Sequence, residues 1–181
     1  MKKGIIIIVV IILALALIFF LDSRGSKSSS KQLISAPEVA SAPGAPVATP
    51  SSDLPMLPLT TLDGTKLMVN ELEGSTVLVL FQPDCDHCQR EAAQIREHIE
   101  AFQDYKIYFV SDAGIPQLSQ FAETYKLADQ RNVYFAQTSI NEILNQVGPI
   151  EAPSLFVYSP EGRLVKSFIG ETPIEEILKV L

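Results

Sequence analysis

At 181 residues, 47% hydrophobic and 19% charged, the chain has material for one ordinary globular domain and not for two. Its net charge of −7 is uneven: residues 1–52 carry five Lys/Arg against Asp22 and Glu38, net +3, and residues 53–181 carry nine against nineteen Asp/Glu, net −10. A domain that acidic lacks the clustered Lys/Arg that displace phosphate counterions, which excludes nucleic acid as a partner.

The chain opens with "MKKGIIIIVVIILALALIFFLD", in which Gly4 to Leu21 is an uninterrupted apolar run of eighteen residues. As a helix it would span about 27 Å, close to the hydrocarbon thickness of a bilayer. A cleaved signal peptide has a shorter apolar region followed by small residues. Here the run is long and ends in "IFFLDSRGS", which favours an uncleaved anchor. No cysteine follows it, so a lipid attachment there is excluded. Lys2 and Lys3 favour a cytoplasmic N-terminus, against Arg24, Lys27 and Lys31 at the other end. The short N-terminal segment tips the balance to N-in, C-out. The rest of the chain then faces an oxidising compartment, where two cysteines can cycle through a disulfide.

Residues 22–52 are rich in Ser, Ala and Pro and read as a disordered tether, because so few apolar groups cannot offset the entropy of ordering. From Leu54 the pattern changes to short elements. "LPLTTLDGTKLMV" predicts two strands around an Asp63-Gly64 turn, and "STVLVLFQ" a strand buried on both faces. Ala92, Ile95, Ile99 and Phe102 recur at helical spacing, and "KIYFVSD" predicts a second buried strand. Residues 115–126 read as a helix with Leu118, Phe121, Ala122 and Tyr125 on one face, followed by a short strand at "NVYFA". "SINEILNQVG" is a helix with Ser139 as N-cap, Glu142 three residues on and Gly148 as stop. "PSLFVYSPEGRLVKSFIG" predicts a hairpin around Pro160-Glu161-Gly162, and "TPIEEILKVL" a last helix capped by Thr172 with Pro173 first. The order β-β-β-α-β-α-β-α-β-β-α over residues 53–181 points to a mixed α/β sheet with helices on both faces.

Chemistry has few candidates, since the chain has no Trp, two His and two Cys. Cys85 and Cys88 stand in "FQPDCDHCQREAAQI", between the apolar strand and the amphipathic helix. A helix N-terminus offers unpaired N–H groups and the positive end of the dipole to a thiolate, the species that attacks disulfides. This makes Cys85 the nucleophile and Cys88, one turn on and facing inward, the resolving thiol within disulfide reach. His87, when protonated, favours a neighbouring thiolate, whereas Asp84 and Asp86 oppose it. Two alternatives stand beside the redox couple. A structural disulfide closing so short a loop constrains the unfolded chain little. A metal site would have to recruit His87 or His98, and His98 is expected on the exposed side of the helix.

Residues 54–181 resemble the thioredoxin-fold, TlpA/ResA-like membrane-anchored thiol-disulfide oxidoreductases. The resemblance rests on "LPLTTLDGTKLMVNELEGSTVLVLF", "CDHCQREAA" and "PSLFVYSPEGRL", which follow that family's hairpin, cysteine-helix and late-strand motifs. It implies a thioredoxin-like fold with an N-terminal hairpin extension, no cofactor beyond the cysteines, and Cys85, Cys88 and Glu91 as catalytic residues. It further implies that Pro153 is the cis proline beside the site, with Ala152 and His87 contacting substrate. Protein thiols and disulfides are then the partners, with a membrane-embedded electron donor, at a bacterial cytoplasmic membrane with the domain on the periplasmic or extracytoplasmic side. Three positions depart from the pattern: Asp84 replaces an aromatic, Ala93 a proline, and Val79 a buried acid that some relatives carry. Without that acid, Glu91 becomes the candidate for deprotonating Cys88, with a solvated surface charge as the competing reading. A copper- or metal-handling role through Cys85, Cys88 and His87, and a non-catalytic binding module, are the alternatives to a reductase.

Overall fold

The computed structural model describes residues 52–181. The anchor expected at residues 4–21, and all of the 22–52 tether but Ser52, lie outside them. Among the described residues no helix is long and apolar enough to cross a membrane.

The first two strands, β1 (Pro58–Thr61) and β2 (Lys66–Met68), pair antiparallel with Leu59 opposite Leu67. Their connection is built by the residues the sequence singled out. Asp63 Oδ1 accepts from Thr65 N at 3.0 Å, and Gly64 takes the left-handed conformation at φ 85° that a side chain would strain. A short 3-10 turn, Val69–Glu71, leads to β3 (Thr76–Leu80), buried at every position as its unbroken apolar run requires.

From β3 the chain alternates: α1 (Asp86–Glu97), a 3-10 turn (Ile99–Phe102), β4 (Lys106–Ser111), α2 (Ile115–Thr124), β5 (Val133–Gln137) and α3 (Ile140–Gln146). It ends in the hairpin β6 (Ser154–Tyr158) and β7 (Leu164–Ile169), then α4 (Ile174–Leu178). The seven strands form one mixed sheet in the order β2-β1-β5-β4-β3-β6-β7. β3, β4 and β5 are mutually parallel, and β6 runs antiparallel to β3. Two successive crossovers step the same way, β3 to β4 and β4 to β5, so right-handedness puts α1 and α2 on one face. The chain then returns past β3 to form β6, with α3 on the other face.

Alternation along the strands supplies both cores. Val77, Val79, Ile107, Phe109, Phe135 and Leu155 pack under α1, α2 and α4, while Leu78, Leu80, Tyr108, Val110 and Phe156 pack under Ile143 of α3 and the N-terminal segment. That segment is pinned from its start: Asp53 N donates to Gly162 O at 2.8 Å. Gly162 itself is obligatory at φ 73°, because an added Cβ would stand 2.2 Å from Ser52 Oγ.

The element order agrees with the sequence reading, and the differences lie at element ends: Ile99 and Phe102, expected on the helix of Ala92 and Ile95, fall in the 3-10 turn beyond its cap at His98. Ser139 caps α3 as expected, its Oγ accepting from Glu142 N. The expected cap at Thr172 does not form: Pro173 is the N-cap, α4 begins at Ile174, and the Thr172 hydroxyl donates instead to Gly170 O at 3.1 Å. The 115–126 helix stops at Thr124, where Tyr125 closes it and Lys126 turns to φ 55°. His98 is half-buried where exposure was expected, because it ends α1 with its Nδ1 3.0 Å from Gln94 O.

Candidate active site

Strand register brings the two halves of the site together. Leu80 at the end of β3 pairs with Ser154 at the start of β6, so the residues following β3 face those preceding β6. Cys85 therefore meets Ala152 across 67 residues of sequence, its Sγ 3.6 Å from Ala152 O. The Ala152–Pro153 bond is cis. The loop between β3 and α1 is anchored by Phe81, whose ring packs 4.7 Å from Phe121 and 5.5 Å from Phe109, and whose N–H bonds Val110 O. Beyond it Cys85 N closes a turn onto Gln82 O at 3.2 Å, and Cys85 O accepts from Gln89 N at 3.0 Å to start α1.

Cys85 is the N-cap of α1 and makes no side-chain capping bond, which leaves first-turn N–H groups facing its side of the helix. It is partly exposed, whereas Cys88 is 2% exposed; both are free thiols. Burial pushes the Cys88 thiol up to about 12, helped by its hydrogen bond with Cys85 and the charges of Cys85 and Glu91. Gln82 N, 3.5 Å from Cys88 Sγ, opposes this without reversing it. Of the two sulfurs, then, the partly exposed one at the helix start is the one an incoming disulfide can reach, while Cys88 is held protonated.

Glu91 lies one turn beyond Cys88 on the same buried face and is 1% exposed, which overturns the surface-charge reading. Its Oε2 accepts from Thr172 N at 3.3 Å, and its Oε1 has no hydrogen-bond partner. Desolvation raises this carboxyl to about 7, against the bond from Thr172, with the Glu171 carboxylate adding to the rise. Val79, at the position where some relatives carry an acid, is buried in the same core. Glu91 is thus the buried carboxyl beside Cys88, half satisfied and able to change protonation near neutral pH.

His87 does not face the core but enters a cluster the sequence reading missed. Its Nδ1 lies 2.6 Å from Glu171 Oε2, and Arg90 grips the same carboxylate through Nε at 2.7 Å and Nη2 at 2.6 Å. Those bonds hold the Glu171 carboxyl at about 2, Arg90 contributing more than His87. Arg90 was findable, since it follows His87 by three residues and so shares its helix face. Glu171 carried no local signal; it arrives from the β7–α4 connection, 84 residues from His87. The same connection touches the rest of the site, with Gly170 N donating to Pro153 O at 2.8 Å.

Residues 50–167 match the model of the AhpC/TSA family. No curated protein matches the chain in sequence. Among solved structures, a secreted Mycobacterium tuberculosis disulfide oxidoreductase homologous to E. coli DsbE is similar at 19% identity and TM-score 0.55, covering 68% of this chain and 92% of its own. StoA from Bacillus subtilis is similar at 20% identity and TM-score 0.51, over 72% and 98%. Copper-bound ScoI from Arabidopsis thaliana is similar at 17% identity and TM-score 0.56, over 69% and 92%. These likenesses establish the thioredoxin-like fold.

Proposed function

The chain belongs to the AhpC/TSA family, and from that membership we propose a membrane-tethered, extracytoplasmic thiol-disulfide oxidoreductase of the TlpA/ResA-like kind, working as a protein-disulfide reductase. The observation that carries the chemistry is the unequal pair: an N-cap Cys85 beside Ala152 O, and a buried Cys88 held protonated next to Glu91. The Cys85 thiolate attacks one sulfur of a substrate disulfide and expels the other as a thiol. The mixed disulfide lies along Ala152 and Pro153, where an extended substrate backbone can pair. Cys88 then passes its proton to Glu91 and attacks the Cys85 sulfur, releasing the second substrate thiol and leaving a Cys85–Cys88 disulfide. A membrane-embedded donor returns two electrons and two protons. The tether rests on the apolar run at residues 4–21, and the reductase direction on the family resemblance.

A metal-handling role would need His87 grouped with both sulfurs, and among the described residues no three His, Cys, Asp or Glu side chains are placed to hold a metal ion. The test is Cys88→Ser in the full chain. The account expects Cys85-linked mixed disulfides with other proteins to accumulate on non-reducing gels and vanish with a reductant. A folded, exposed variant that traps nothing contradicts it.

A further inference from the structure

We propose that Glu171 is a positioning residue that sets the redox poise of Cys85 by committing His87 and Arg90 to its own carboxylate. The inference rests on reading Cys85 and Cys88 as a redox couple. His87 and Arg90 stand on the first turns of α1, and Arg90 lies within electrostatic reach of the Cys85 sulfur as well as of Asp86. Left to themselves they would stabilise a Cys85 thiolate. Their side chains are 63% and 52% exposed, and apart from a contact with each other their side-chain hydrogen bonds converge on the two oxygens of Glu171.

The Nδ1 of His87 is committed in either protonation state. Its Nδ1 stands 2.6 Å from Glu171 Oε2 and 2.8 Å from Arg90 Nη2, and one nitrogen cannot donate to the first while accepting from the second. With a proton on Nδ1 the ring donates to Glu171; without one it accepts from Arg90. In both states Nδ1 is spent on the Glu171–Arg90 pair and not on Cys85. The other charges that reach the cluster are acidic: Asp86 and Glu91 on α1, and Glu151, whose Oε2 lies 3.9 Å from where a Cβ on Gly170 would stand. None of them can replace His87 and Arg90 as a source of positive charge to the sulfur. The backbone fixes Glu171 in place from both sides, through Gly170 N to Pro153 O and Thr172 N to Glu91 Oε2.

With its cations withdrawn, Cys85 gains less from being a thiolate, the dithiol form is less favoured, and the couple is a stronger reductant. The test equilibrates the domain in full-length protein with dithiothreitol and its cyclic disulfide. Each dithiothreitol gives two electrons and two protons to the Cys85–Cys88 disulfide. Glu171→Gln should move the equilibrium towards the dithiol by about 10-fold, roughly 30 mV for a two-electron couple. Glu171→Asp, which keeps the charge but shortens the reach, should move it the same way by less. In an H87Q/R90Q background the Glu171→Gln shift should fall to about 2-fold or below, because the groups it releases are gone. An equal shift in both backgrounds would mean that Glu171 acts only as a nearby charge and overturns the inference. So would an unchanged equilibrium in the otherwise native chain. If the unsubstituted pair forms no reversible disulfide, it is the redox reading itself that fails.

Discussion

Cys88 and Glu91 are both pushed towards their neutral forms by burial, and the difference between them is what makes the pair useful. Cys88, up at about 12, keeps its proton until something takes it; Glu91, at about 7, is ionised in part of the population at neutral pH and can take it. Glu91→Gln should therefore leave the first attack by Cys85 unchanged and slow release of the mixed disulfide by about 100-fold, read by quenched-flow trapping. The same residue links stability to pH. Its folded proton affinity is raised from the ordinary 4.5 to about 7, so its stabilising contribution is complete below pH 4.5 and lost as pH rises through 7. Between pH 5 and 8 the native chain should lose on the order of 2 kcal/mol relative to Glu91→Gln in urea unfolding. Cys88 does not confuse the comparison, since its own loss begins only above its ordinary 9.0. A variant with the same pH dependence as the native chain would show that Glu91 is not desolvated in solution.

At the scale of elements, the site depends on the register of β3 against β6 and on the aromatic cluster under the loop that joins β3 to α1. Phe121 of α2 touches Phe81 at that loop, and Phe135 behind it, from a 4% exposed position. Phe121→Ala should cost about 3–5 kcal/mol in chemical denaturation. Because the cavity opens beneath Phe81, it should also loosen Cys85 and slow its exchange with a disulfide probe. An unchanged midpoint would place the loop's support elsewhere. The elements themselves were largely legible in the sequence, because each was specified locally: the apolar run of β3, the Ser139 cap with Gly148 after it, the Asp63-Gly64 turn. The start of α4 was not. Thr172 has the chemistry of a cap, but its hydroxyl donates back to Gly170 O and Pro173 takes the N-cap position of a helix of only five residues. The site divided in the same way. Cys85 and Cys88 were visible from spacing, whereas the burial of Glu91 depends on a loop 81 residues away, and Glu171 matters only because that loop folds back onto α1.

For the whole molecule, the proposed function gives the acidic domain and the basic, apolar N-terminal segment different tasks, chemistry and membrane attachment. With residues 4–21 as an anchor and the domain outside, Cys85 should react with a membrane-impermeant thiol reagent in intact cells, while the protein sediments with membranes. Labelling that appears only after lysis would contradict the extracytoplasmic orientation. The central claim, that Cys85 and Cys88 form a reducing couple, meets its most direct test in the reduction potential of the full-length protein. The account predicts a single reversible two-electron transition at or below about −220 mV, on the reducing side of the extracytoplasmic oxidants. A pair that never closes to a disulfide, or one that titrates near about −120 mV as a strong oxidant does, would contradict it.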